Sequence, residues 1–115
     1  MEKFIIIFEC KSYTCDYQVY TNFGTAVDRA FDSYEEAYNA LVNEIIPEVK
    51  ASVDEGYIET AEEEGISLDE LRDLSVEVYK PKHPYDLVAS VELYDCEMGD
   101  IMEENNYKII PVSCQ

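Results

Sequence analysis

Basic residues and glycine are scarce in this chain of 115 residues. It has 8 Lys plus Arg against 26 Asp plus Glu, a single His, no Trp and only 4 Gly. The resulting net charge of −18 repels nucleic acid and anionic membranes, because the summed field of many like charges steers encounters. We therefore expect no direct binding to nucleic acid or membrane, and we expect basic protein surfaces as partners.

Motifs that would indicate a reaction are also missing. The sequence contains no nucleophile elbow, no Walker or dinucleotide-binding glycine loop and no zinc-protease motif. Its single histidine, His83, lies in a predicted turn between two prolines, with no identifiable partner base or nucleophile. Carboxylate pairs are so numerous that their spacing has no specificity. The sequence therefore predicts a protein that is not an enzyme, and it implies no cofactor.

The four cysteines, Cys10, Cys15, Cys96 and Cys114, are too few for a disulfide scaffold at this length. A zinc site with four cysteine ligands typically has two close pairs, and only Cys10 with Cys15 forms one. The acidic runs do not match a calcium-binding loop. We interpret the cysteines as reduced thiols, and a cysteine-based metal site remains an alternative.

The remaining composition predicts a folded domain spanning residues 1–115. Apolar residues make up 47% of the chain and include 10 Tyr and 4 Phe, whereas highly charged disordered chains are poor in such residues. The apolar run at residues 4–8 is too short for a signal peptide and follows an acid. No apolar stretch approaches the roughly 20 residues of a membrane span. We expect a cytoplasmic protein.

The hydrophobic pattern predicts an α+β domain in the order β-β-α-α-β-β-β. Residues 3–10 form an apolar, β-branched run typical of a central strand, and residues 16–23 alternate as a strand that pairs with it in a hairpin. Strands are also predicted at residues 75–80, 85–96 and 107–112, the last at a sheet edge because it contains a proline. We expect a mostly antiparallel sheet of about five strands with helices on one face.

Two capping boxes mark the predicted helix starts, Ser33 with Glu36 and Ser67 with Glu70. After the first, apolar residues recur at the spacing of one helical face as far as residue 53. We expect Pro47 to kink or break this helix. The second box opens a short helix, and residues 97–106 are predicted to be an acidic loop or helical turn.

The acids are concentrated in two segments that are both expected to lie outside the sheet. Residues 54–73 contain a single base, Arg72, and residues 92–104 contain none. Solubility needs a net charge of only about 2–8 in a small domain, and repulsion among like charges lowers stability. The negative charge beyond that range therefore favours binding to a positively charged partner. The predicted partner-binding residues are Asp54, Glu55, Glu59, Glu62, Glu63, Glu64, Asp69, Glu70, Asp73, Glu92, Asp95, Glu97, Asp100, Glu103 and Glu104.

A row of carboxylates can approximate the charge density of a nucleic-acid backbone. Acids three or four residues apart on a helix lie about 5–6 Å from each other, and a DNA strand has one phosphate per roughly 3.4 Å. With its small size, acidity and many tyrosines, the chain resembles the small acidic inhibitors of phages and mobile elements, the anti-CRISPR and anti-restriction nucleic-acid mimics. The resemblance depends on residues 54–73 and 92–104 and includes no signature motif. It implies occlusion of the DNA, guide or target site of a defence nuclease or effector.

The alternative is an acidic adaptor that binds a protein partner through a sheet edge or a tyrosine-bearing face. In that case the charge would increase the association rate and the solubility without mimicry. A homodimer would extend the charged surface and cover an exposed strand edge. The sequence does not distinguish a homodimer from a monomer.

Overall fold

The computed structural model describes residues 2–13, 18–83, 85–96 and 100–113, and side chains are described for these ranges except at 100–102. It confirms the predicted α+β class and the strand-strand-helix-strand order. One continuous helical region consists of an α-helix, a π-helical segment and a second α-helix. The elements are β1 (Glu2–Tyr13), β2 (Val19–Thr25), α1 (Tyr34–Ala40), the π segment (Leu41–Ile45), α2 (Ile46–Glu64), α3 (Leu68–Leu71), β3 (Arg72–Val78), β4 (Leu87–Asp95) and β5 (Asp100–Ser113).

The five strands form one antiparallel sheet in the order β2-β1-β5-β4-β3. The apolar run of β1 is paired on both sides, as its composition predicts, and β1 and β2 form the expected hairpin. In this order β2 and β3 are the two edge strands. The last two strands in the chain are therefore central.

Two predictions about β5 are wrong. Residues 100–106, predicted to be a loop or helical turn, belong to the strand, because long-range pairing with β1 and β4 overrides the low strand propensity of their acids and asparagines. The strand is also central and not at an edge. Pro111 is tolerated because β4 pairs with β5 only as far as Lys108. Beyond that residue β5 has β1 as its partner, so a proline without an N–H need not break a ladder on the β4 side.

The helices begin largely as predicted. Ser33 Oγ accepts a hydrogen bond from the N–H of Glu36 at 3.1 Å. In the second capping box the Glu70 carboxylate accepts one from the Ser67 N–H at 3.0 Å, and the Glu70 N–H donates to the Ser67 carbonyl at 3.2 Å. The π segment lies directly before Pro47, which cannot donate to the preceding turn. The helix then continues past the predicted apolar stripe and ends at Gly65, whose φ of 68° is the left-handed conformation that favours glycine.

The helices pack on one face of the sheet, which we call the inner face, and leave the other, open face uncovered. The largest fully buried side chains lie between the inner face and the helices, and are Ile6, Leu41, Val88, Val91 and Ile109. The molecule measures 54 × 28 × 24 Å, and its radius of gyration of 16.1 Å exceeds the roughly 13 Å of a compact chain this long. Within the described residues, no helix is both long and apolar enough to cross a membrane.

Candidate functional site

A stripe of carboxylates follows one face of α2. Glu48, Glu55, Glu59 and Glu62 occur at i, i+7, i+11 and i+14, and at about 100° per residue these positions lie within roughly 60° of each other. All four residues are exposed. At 1.5 Å per residue the stripe is about 21 Å long. We call these four residues the α2 stripe.

Glu48 lines the cleft between the start of α2 and the sheet. The other three residues of the α2 stripe lie opposite the side of α2 that faces the sheet. That side is formed by Val49, Val53 and Tyr57, all half-buried, and by Ala61, which is buried. In the part of the chain that the structure describes, no ion pair involves any member of the stripe. The described part of the protein therefore supplies no cation that neutralises these four charges.

Arg72 neutralises two of the predicted partner-binding acids. Its side chain is 10% exposed and its Nη2 lies 2.6 Å from Oδ1 of Asp54, on α2. Its Nη1 lies 2.9 Å from Oδ1 of Asp69, on α3. Because each carboxylate already has a cation, Asp54 and Asp69 hold α2, α3 and β3 together and are poor candidates for the binding of a partner.

Four more predicted residues are engaged within the fold. The Glu70 carboxylate accepts a hydrogen bond from the backbone N–H of Ser67, the N-cap of α3, at 3.0 Å. The Asp95 carboxylate accepts one from the Tyr57 hydroxyl at 3.4 Å. Glu103 lies on the inner face, where its carboxylate accepts a hydrogen bond from the Cys10 thiol at 3.2 Å. On the open face, the Glu104 carboxylate accepts a hydrogen bond from the Tyr13 hydroxyl at 3.2 Å.

Among the other predicted partner-binding residues are three that are exposed and two whose side chains the structure does not describe. Glu63, Glu64 and Asp73 are exposed, with the first two at the end of α2 and the third on β3. Glu97 lies outside the described residues. Asp100 belongs to β5, where it pairs with Asp95, and its side chain is not described.

A second acidic surface lies on the open face of the sheet. Glu92 on β4 and Glu104 on β5 are direct cross-strand partners, a like-charge pairing that destabilises a sheet. On the far side of β5, Glu104 pairs with Lys11, and the Lys11 ammonium lies 3.3 Å from Glu9. The prediction that this segment lies outside the sheet is therefore wrong for residues 92–95 and 100–104, which belong to β4 and β5. Strand alternation places Glu92 and Glu104 on the face opposite the helices.

Two acids of these surfaces were missed by the sequence analysis. Glu48 begins the α2 stripe, and its spacing of seven residues from Glu55 was a signal that could have been read from the sequence. Glu9 joins the open face only through the pairing of β1 with β5. No local signal could have found it.

Of the four cysteines, the structure describes Cys10, which is half-buried, and Cys96, which is exposed. Burial raises the pKa of the Cys10 thiol, and its hydrogen bond to Glu103 raises this pKa further, so the thiolate form is disfavoured. Among the described side chains, no three metal-binding groups come together. Cys15 and Cys114 lie outside the described residues, and His83 is an exposed turn residue.

A cavity of about 550 Å³ separates α2 from the sheet. Its lining combines apolar side chains, including Val49, Val53 and Leu93, with polar ones, including Glu48 on α2 and Glu103 and Asn105 on β5. The amide of Asn105 donates to the Glu103 carboxylate at 3.3 Å. The polar groups in the cavity therefore partly satisfy each other.

No protein-family model, curated protein or solved structure matches this sequence significantly.

Proposed function

We propose that this protein inhibits a nucleic-acid-binding protein by occupying its basic site with the α2 stripe. The observation that carries the proposal is a line of exposed carboxylates about 21 Å long, with no ion pair to the rest of the described chain. Lys and Arg side chains that normally bind phosphates could pair with these carboxylates. Because the chain resembles the anti-CRISPR and anti-restriction mimics, the proposed target is a restriction enzyme or a CRISPR effector.

The spacing of the stripe suits such a role. Glu55, Glu59 and Glu62 follow each other at four and three residues, which places neighbouring carboxylates about 5–6 Å apart. This charge density is lower than that of a DNA strand, with one phosphate per roughly 3.4 Å, but of the same order. The helix is also preformed, so little conformational entropy would be lost on binding.

The experiment compares two triple variants of equal charge. The first neutralises the stripe (Glu55→Gln, Glu59→Gln, Glu62→Gln), and glutamine keeps the shape and helix propensity of glutamate. The matched control neutralises three acids on the sheet (Asp73→Asn, Glu77→Gln, Glu92→Gln). Each variant is added to DNA-cleavage assays with a panel of purified restriction enzymes and CRISPR effectors.

We expect the wild-type protein to inhibit at least one panel member in competition with DNA, with affinity that falls steeply as salt rises. The stripe variant should lose inhibition by tenfold or more, and the sheet variant should keep it. If only the sheet variant loses inhibition, the stripe is not the binding surface. If the protein binds a panel member without displacing its DNA, the adaptor alternative is correct and mimicry is rejected.

A further inference from the structure

The edge strand β2 differs from the rest of the protein surface because it carries no charge. Val19–Thr25 contains neither an acid nor a base, in a chain with a net charge of −18. It also presents three large apolar side chains to solvent. Val19 is 52% exposed, Tyr20 is 56% exposed and Phe23 is 74% exposed.

The opposite edge of the sheet is protected in the way that natural proteins protect strand edges. β3 carries Asp73 and Glu77, and charged side chains on an edge discourage pairing with a further strand. Both edge strands, β2 and β3, have unpaired backbone groups that could bond to a strand of another molecule. Only β3 has the charges that prevent such bonding, so β2 is an edge suited to pairing.

Glu9 on the neighbouring strand β1 is the direct partner of Phe23, but the acids of β3 and the part of α2 near Asp54 lie away from β2. In the order β2-β1-β5-β4-β3, four strand spacings of about 4.8 Å place β2 roughly 19 Å from β3. Arg72 ties α2 to the β3 end of the sheet through Asp54. A molecule that docks along β2 therefore avoids the acids of β3 and those near Asp54, and meets Glu9 on the neighbouring strand.

We infer that β2 pairs with β2 of a second copy of this chain, which forms a symmetric dimer through one continuous sheet of ten strands. A basic partner would be drawn to the acidic surfaces, whereas an equally acidic copy can approach best at the uncharged edge. An antiparallel pairing about a twofold axis is self-complementary. With the axis at Asn22, all seven residues of β2 pair, and the two Phe23 rings lie diagonally across the axis, within reach of each other.

Pairing through β2 determines whether added salt strengthens or weakens the dimer. The two copies repel each other at long range, and salt shortens that range from about 20 Å at roughly 20 mM to about 6 Å at roughly 300 mM. Dimerisation through β2 should therefore strengthen as salt increases. Binding of a basic partner by the acidic surfaces should weaken over the same range. The two associations can thus be distinguished, and either can fail without the other.

The experiment is sedimentation equilibrium of the full chain at low and moderate salt. We compare the wild-type protein with Phe23→Lys, which removes the apolar contact and charges the edge. The matched control is Tyr85→Lys, since Tyr85 is also an exposed aromatic (60% exposed) but lies outside the strands. Both substitutions reduce the net negative charge equally, so a loss of dimer only in Phe23→Lys cannot come from the change in net charge and must come from the β2 edge itself.

We expect about twice the 13.3 kDa chain mass for the wild-type and Tyr85→Lys proteins at moderate salt, and a monomer for Phe23→Lys. A wild-type monomer at moderate salt overturns the inference, as does a Phe23→Lys protein that still dimerises. If Phe23→Lys does not fold, Thr21→Lys on the same exposed strand replaces it. Hydrogen exchange supplies a second readout, because the backbone amides of residues 19–25 should become more protected as protein concentration rises.

Discussion

The guanidinium of Arg72, on β3, contacts the Asp54 carboxylate, on α2, through two nitrogens, with Nε at 2.8 Å and Nη2 at 2.6 Å from the same Oδ1. This contact joins the long helix to the edge of the sheet. It also means that the only base among residues 54–73 neutralises acids of its own segment. The remaining acids of that segment are left to face outward.

We predict that Arg72→Met lowers the free energy of unfolding by about 2–4 kcal/mol, because it leaves the partly buried Asp54 carboxylate without its cation. Lys50→Met is the matched control, since it also removes one positive charge but from an exposed position on α2. Urea denaturation of both variants tests the prediction. Equal losses in the two variants would show that net charge alone, and not the contact with Asp54, is responsible.

We predict that Glu92→Gln stabilises the protein by roughly 0.2–1 kcal/mol at low salt, because it removes the repulsion from Glu104 directly across the sheet. The gain should shrink at high salt, where surface charges are screened. Glu2→Gln, at an exposed position opposite Ser113, is the control and should gain less. The measurement is urea denaturation at two salt concentrations, and a loss of stability in Glu92→Gln would contradict the prediction.

We predict that stability falls with pH between about 10 and 12 in a way that depends on Tyr107. Burial, and then the charges of Cys10 and Glu103, raise the pKa of this tyrosine to about 12, whereas its unfolded value is about 10. In this window the unfolded chain has lost the phenolic proton and the folded chain still holds it. The folded state therefore binds more protons, and stability decreases as pH rises, by up to about 1.4 kcal/mol per pH unit.

Tyr107→Phe should make this alkaline loss of stability less steep, because phenylalanine has no proton to lose. Tyr20→Phe, at an exposed position on β2, serves as the control. Unfolding free energies of the three proteins at several pH values from 9 to 12 provide the comparison. The prediction fails if Tyr107→Phe has the same slope as the wild-type protein.

Local signals were sufficient for much of this fold. The capping box of Ser67 and Glu70 predicted α3, and the hydrophobic run of β1 predicted an interior strand. The first part of β5 was missed because its acids and asparagines have low strand propensity. Its conformation depends on pairing with residues of β1 about 90 positions away along the chain, such as Ser12 with Glu103.

The candidate site was predictable only in part, for the same reason. Spacing along α2 is local, so the clustering of Glu55, Glu59 and Glu62 could be read from the sequence. The cross-strand pairing of Glu92 with Glu104 depends on register, which no single segment contains. The engagement of Asp54 by Arg72 likewise depends on how α2 packs against β3.

The repulsion between Glu92 and Glu104 has a consequence for the lifetime of the protein in a cell. A ligand that binds only the folded state stabilises it by about 2.7 kcal/mol when present at 100 times its dissociation constant. The repulsion lowers the stability of the free protein, and a partner bound to the α2 stripe, as proposed above, would offset this loss. The free protein is then the form that unfolds most often and is degraded fastest. Copies without a partner would be cleared first, so the cellular amount of this protein would follow the amount of its target.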